Sequence, residues 1–147
     1  MNAPDPCPNP ARLSIAEMQA IVDHDVPSVG QLGVRVEALG DGWARLRLPF
    51  RADLVRPGGT IAGPVLMAMA DVAMYAVVLS RIGPVKLAVT TSLTTNFLRR
   101  PPAQDILAEG RLLKCGRRLA YGEVTLTSID GPDPVAHVTA TYSIPPA

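Results

Sequence analysis

Between residues 64 and 80 the chain reads PVLMAMADVAMYAVVLS, with Asp71 the only charge in seventeen positions. A run this long and apolar on every side predicts a helix wrapped by other structure. Pro64 suits the first helical position, where its missing N–H would have no acceptor anyway, and Gly83-Pro84 ends the segment. The period then changes to two. Leu87, Val89, Leu93 and Phe97 fall on one face of a strand, and Thr90, Ser92, Thr94 and Asn96 on the other. Further strands follow over 105–114, 119–129 and 135–143, with turns at 116–118 and 131–134.

Upstream of the helix, residues 32–38 and 43–49 alternate around Gly40-Asp41-Gly42. Trp43, Arg45, Arg47 and Pro49 oppose Ala44, Leu46 and Leu48, the pattern of a β-hairpin. Ser14 and Glu17 form a capping box ahead of Met18, Ile21 and Val22, which predicts a short helix over 14–23. Residues 50–63 read as loop. Residues 1–12 read as a disordered lead, and 13–147 as one domain.

Four strands in succession with short turns make a mostly antiparallel sheet. The expected fold is α+β: a curved antiparallel sheet around one long central helix, with a short N-terminal helix. A single such sheet leaves edges and a helix flank uncovered, so self-association as a dimer is expected.

Composition narrows the function classes. Net charge is +1 with acids and bases interspersed, which gives no field suited to nucleic acid or an anionic lipid surface. The apolar run is marginal in length for a membrane span, carries a costly mid-span acid and has no second span beside it, so a buried core helix is the reading. Cys7 and Cys115 match no metal spacing and no disulfide framework. The first residues lack the basic start and apolar stretch of a signal peptide. A reduced, cytoplasmic setting fits. His24 and His137 sit in no metal or triad motif, and no glycine loop for phosphates is present. Neither a metal nor a cofactor is expected.

An unpaired carboxylate in an apolar helix is costly, which singles out Asp71. The surrounding stretch, GGTIAGPVLMAMADVA over 58–73, resembles the helix-start motif of hotdog-fold acyl-CoA thioesterases, with the phenylacetate-pathway (PaaI-like) branch the nearest match. AVTTSLTTNFL over 88–98 is similar to that family's next strand, and KCGRRLAYGEV, within 107–129, to its next hairpin. Together the resemblance spans about residues 30–145.

The resemblance implies a hotdog fold, a dimer or dimer of dimers, and coenzyme A thioesters as substrates. It makes Asp71 the catalytic general base or nucleophile and the Gly63 backbone N–H the group that polarises the thioester carbonyl, the two coming from different subunits. The spacing agrees independently. Gly63 and Asp71 are eight residues apart, about 12 Å along a helix, farther than an aspartate side chain reaches. Thr90 aligns with a Ser or Thr that orients the attacking water; it is equally a β-branched strand former. Thr91, one step away, would point to the opposite face.

Three positions depart from the family pattern. Ala62 stands where histidine is frequent. Pro64 replaces a second glycine and leaves one backbone donor at the turn. Arg56 stands where Asn or Gln is frequent; it can donate to an oxyanion or bind a substrate carboxylate, or be a solvated loop charge. Arg99, Arg100, Lys114, Arg117 and Arg118 are candidates for the coenzyme A phosphates, or ordinary turn charges. Met67, Ala68, Met74 and Tyr75 lie within one turn of Asp71 and would shape an acyl pocket or simply pack in the core, and the Tyr75 hydroxyl needs a partner.

Three activities are compatible with these residues. An acyl-CoA thioesterase leads. A non-catalytic acyl-CoA or small-ligand binder on the same fold is favoured by Ala62 and Arg56 and disfavoured by Asp71. A hotdog dehydratase or hydratase ranks last, because that chemistry pairs its acid with a histidine and none lies near this helix.

Overall fold

The computed structural model describes residues 9–146. The elements follow the chain as α1 (Ile15–Asp25), α2 (Pro27–Gly30), β1 (Arg35–Gly40), β2 (Trp43–Leu48), a 3-10 turn (Ala52–Leu54), α3 (Gly63–Ile82), β3 (Val89–Phe97), β4 (Ile106–Cys115), β5 (Leu119–Ser128) and β6 (Pro134–Ser143). The six strands form one sheet in the order β1-β2-β4-β5-β6-β3, antiparallel at every junction. The sheet wraps α3, which packs against all six strands. This is the expected α+β hotdog architecture.

Alternation explains the wrap. Ala44, Leu46 and Leu48 on β2, Ile106 and Ala108 on β4, Val124 and Leu126 on β5, and Ala136, Val138 and Ala140 on β6 all turn inward and are buried. They close over Met69, Ala70 and the unbroken buried run Val72–Ser80 of α3. Burying one large apolar side chain of this kind contributes about 1.5–3 kcal/mol. The length and apolarity of α3 alone would suit a membrane span, but two-thirds of it is enclosed by the protein's own sheet. Its N-terminal flank stays open, where Pro64 and Met67 are exposed and Ala68 and Asp71 half-buried.

The helix begins one residue earlier than expected. Ala62 is its N-cap and makes no side-chain cap, Gly63 is the first helical residue and Pro64 the second. The β1–β2 hairpin turns on Asp41-Gly42, where Gly42 has φ 73°, a conformation that favours glycine. The Ser14–Glu17 capping box forms reciprocally, and α1 runs two residues past the expected end. The added α2 starts at Pro27. The expected disordered lead falls mainly on residues 1–8, outside the described residues. Residues 9–12 are tied down, with the Asn9 carbonyl accepting from the Asp41 N–H and the Arg12 N–H donating to the Ser80 carbonyl.

The two edges of the sheet differ. At β1 the Gln19 side chain of α1 acts as a one-residue strand, its amide donating to the Val34 carbonyl (3.0 Å) and its oxygen accepting from the Val36 N–H (2.7 Å). At β3 the outer edge is open. Leu87, Val89, Phe97 and Leu98 are exposed along it, as is Met67 on the adjoining flank of α3.

Candidate active site

The environment of Asp71 is built by two strands. Thr90 on β3 and Tyr142 on β6 are directly opposed in the ladder, so their side chains share a face, and that face looks onto α3. The Thr90 hydroxyl donates to Asp71 Oδ1 at 2.6 Å. The Tyr142 hydroxyl lies 2.7 Å from the same oxygen and 3.0 Å from the Asp71 backbone carbonyl. Asp71 Oδ2 makes no hydrogen bond among the described residues.

The position of Thr90 corrects the expected face assignment. A β-bulge between Thr90 and Ser92 adds a residue, so Thr90 shares the inner face with Leu93 instead of opposing it. Thr91 is the displaced residue, and its hydroxyl donates outward to the Thr141 carbonyl. The bulge is what aims Thr90 at the carboxylate.

Asp71, Thr90 and Tyr142 open into a recess of about 460 Å³ that Tyr75, Val72, Val89, Val26 and Val29 also line. Tyr75 stacks on Tyr142, with ring centroids 6.2 Å apart and planes at 27°, and its hydroxyl donates to the Lys86 carbonyl at 2.9 Å. Burial, then the nearby Asp71 charge, pushes the Tyr142 phenol far above the ordinary tyrosine range. Burial, with a smaller contribution from Asp25, raises that of Tyr75. An Asp25–Lys86 ion pair at 3.0 Å joins the end of α1 to the segment before β3 at this recess.

Gly63 faces a different recess, also about 460 Å³, with Arg56, Leu66, Phe97, Arg99 and Arg100. Its N–H is one of the first-turn donors that no helical carbonyl reaches, and the N-cap Ala62 supplies no side-chain oxygen there. The Phe97 ring closes against the Gly63 Cα, since a Cβ built on Gly63 would lie 3.4 Å from its nearest atom. Arg99 is braced by donating to the Pro134 carbonyl at 2.8 Å. Lys114, Arg117 and Arg118 line a third recess at the β4–β5 turn.

The expected site residues therefore separate by position. Asp71, Thr90 and Tyr75 come together; so do Gly63, Arg56 and Arg99; Arg117 and Arg118 stand apart from both. Met67 lines none of the recesses and lies 38 % exposed on the open flank of α3. Met74 is fully buried and packs under Gly122, so it belongs to the core. Tyr142 is the contact that sequence reading missed. The available signal was its place on the inward stripe Ala136, Val138, Ala140, Tyr142, where a buried hydroxyl needs a partner. Val26 and Val29 were also missed, since α2 carries no periodic pattern at its length, as was Lys86 in the segment before β3.

A further recess, about 610 Å³, lies on the outer face of the sheet between β2, β4 and β5. Its acids are already engaged: Glu109 by the Trp43 indole, Glu123 by Arg111 and His137, and Asp41 by Arg81. It holds none of the groups around Asp71. Among the described residues no three His, Cys, Asp or Glu side chains cluster as metal ligands would.

Comparison with known proteins places this geometry. The thioesterase superfamily pattern matches residues 58–135, from the loop before α3 to the start of β6. A candidate esterase of Saccharolobus solfataricus is 31% identical over 120 residues, 81% of this chain and 77% of the relative. A candidate thioesterase from Silicibacter sp. TM1040 superposes with TM-score 0.83 at 39% identity, over 92% of this chain and 94% of the other. A mutant of phenylacetic acid degradation protein PaaI from Thermus thermophilus superposes with TM-score 0.72 at 30% identity, over 81% of this chain and 99% of the other. With this sheet, this central helix and a match across more than half its length, the chain belongs to the thioesterase superfamily.

Proposed function

We propose that this protein is an acyl-CoA thioesterase of the PaaI-like branch, acting as a homodimer or a dimer of dimers. The observation that carries the reading is the Asp71 carboxylate, held by two hydroxyls at the wall of a largely apolar recess. One carboxylate oxygen is committed to the protein and the other is unpaired. In the proposed reaction Asp71 takes a proton from water as the water oxygen attacks the thioester carbonyl carbon. The resulting oxyanion accepts a hydrogen bond from the Gly63 N–H. Collapse re-forms the carbonyl and breaks the C–S bond, and the sulfur leaves with the proton that Asp71 had taken. The products are a free acid and coenzyme A.

The separate recesses of Gly63 and Asp71 support a two-subunit site. Gly63 sits by Phe97 at the end of β3, whereas Asp71 sits by Thr90 at its start. Two copies pairing antiparallel along the open β3 edges would bring the start of one strand against the end of the other. That arrangement sets Asp71 of one copy opposite Gly63 of its partner, and covers Val89, Phe97, Leu98 and Met67. It also brings Arg56, Arg99 and Arg100 of one copy toward Arg117 and Arg118 of the other, a basic surround for the phosphates of coenzyme A.

The test is thiol release from a panel of acetyl-, hexanoyl-, palmitoyl-, benzoyl- and phenylacetyl-CoA. The expected result is turnover on at least one, reduced about 10²-fold or more by Asp71→Asn with the fold intact. Asp71→Leu should be equally inactive. Full turnover by Asp71→Asn would overturn the mechanism. Measurable acyl-CoA binding with no release on any substrate would favour a binding protein instead, the reading to which Ala62, with no donor at the helix start, inclines.

A further inference from the structure

We propose that Tyr142 is a positioning residue: its hydroxyl commits Oδ1 of Asp71 to the protein, so that Oδ2 is the oxygen that meets the attacking water. The inference rests on the reading of Asp71 as the reacting acid.

Three observations carry it. First, Tyr142 and Thr90 converge on one oxygen, at 2.7 and 2.6 Å, and leave the other without a partner among the described residues. A carboxylate free to rotate would exchange its oxygens; two donors on one of them fix the plane of the group. Second, the Tyr142 hydroxyl is also 3.0 Å from the Asp71 backbone carbonyl. One phenol oxygen thereby spans the side chain and main chain of the same residue, which restrains the Asp71 side-chain torsions. Third, the phenol is itself immobile. Tyr142 is 2% exposed, is paired with Thr90 across the ladder, and stacks on Tyr75, whose own hydroxyl is tied to the Lys86 carbonyl. A site held this way rests on strands and a helix instead of loops, as precise positioning of a reacting group requires.

Burial keeps this phenol protonated through the whole pH range in which an enzyme works, so it is a constant donor and not a proton carrier. It orients Asp71, while proton transfer stays with Asp71 and water. Thr90 supplies the second bond to the same oxygen, so the two hydroxyls act as one unit and their removal should not be additive.

The experiment uses the full-length protein and the fastest acyl-CoA of the panel. Tyr142→Phe removes only the hydroxyl. Loss of a hydrogen bond to a charged group predicts a fall in kcat of about tenfold or more with KM little changed. That split, kcat lowered and KM kept, is a change that simple loosening of the fold would not produce. Tyr142→Phe combined with Thr90→Val should cost less than the product of the two single losses. If the phenylalanine variant fails to fold, 4-aminophenylalanine and 4-methylphenylalanine at position 142 give similar bulk with and without a donor, and only the second should lower kcat. An unchanged kcat in Tyr142→Phe, or equal kcat with 4-aminophenylalanine and 4-methylphenylalanine, overturns the proposal while Asp71→Asn inactivity leaves the thioesterase reading standing. A wild-type protein that hydrolyses no thioester overturns both.

Discussion

The start of α3 offers a way to remove one backbone donor without touching the fold. Wild-type protein has an N–H at Gly63 and none at Pro64. Pro64→Ala has both, and Gly63→Pro combined with Pro64→Ala has only the second. The structure tolerates the transfer of proline by one position. Ala62 has φ −65° and ψ 139°, the extended conformation required before a proline, and Gly63 is the first helical residue, where proline is favoured. The added Cβ would meet the Phe97 ring at 3.4 Å, close to ordinary contact. The comparison between the two variants therefore isolates the Gly63 N–H. An oxyanion donor of this kind is worth about 2.7–4 kcal/mol at the transition state, roughly 10²–10³ in kcat. The assay is initial-rate thiol release on the best acyl-CoA, with circular dichroism and thermal melting to show that the variants fold alike. The double variant should fall below Pro64→Ala by that factor, while Gly63→Ala, which keeps the N–H, should stay within a few-fold of wild type. Equal kcat in Pro64→Ala and the double variant would refute the role given to this amide.

Two further predictions concern stability. Glu123 is held below the usual glutamate range, first by Arg111 and then by His137. A carboxyl depressed in the fold adds stability above its unfolded pKa and loses it as pH falls through the folded value. Glu123→Gln should thus lower stability at pH 7 by about 0.5 kcal/mol, a small amount because Arg111 is 65 % exposed and the pair is screened. Denaturant melts of the two proteins should converge as pH falls below the ordinary glutamate range; a gap that widens on acidification would exclude the pairing. Gly122→Ala should destabilise by about 1–3 kcal/mol, because its Cβ would lie 2.6 Å from both the Arg111 carbonyl oxygen and the terminal carbon of the fully buried Met74. Thermal melting measures this, and an unchanged melting temperature would show that the sheet yields at this point.

The long helix and the strands were legible because their signals are local. An apolar run of helical length with one charge, and period-two alternation between turns, need no knowledge of partners. The same holds for the capping box at Ser14 and Glu17 and for the Asp41-Gly42 turn. What stayed hidden depends on pairing. The bulge that turns Thr90 inward is set by the register of β3 against β6, and a strict period of two cannot show an inserted residue. Tyr142 reaches Asp71 from 71 residues away in sequence, so its role is fixed only once the sheet has closed on α3. The helix α2, four residues long, is too short for any periodicity, yet it supplies part of the wall beside Asp71. The basic residues were visible as charges, but their division into separate groups follows from strand order alone.

The Gln19 side chain has a consequence for how the sheet can grow. A β-sheet with two bare edges is open to addition at both, and such addition has no natural end. Here the amide of Gln19 already occupies the donor and acceptor that the beginning of β1 would present to a newcomer. Extension is left to the opposite margin, and a second copy joining there by two-fold symmetry presents its own stoppered margin to the outside. The residue that covers the start of β1 would thereby let the proposed pairing at β3 end at two copies instead of running on as a polymer.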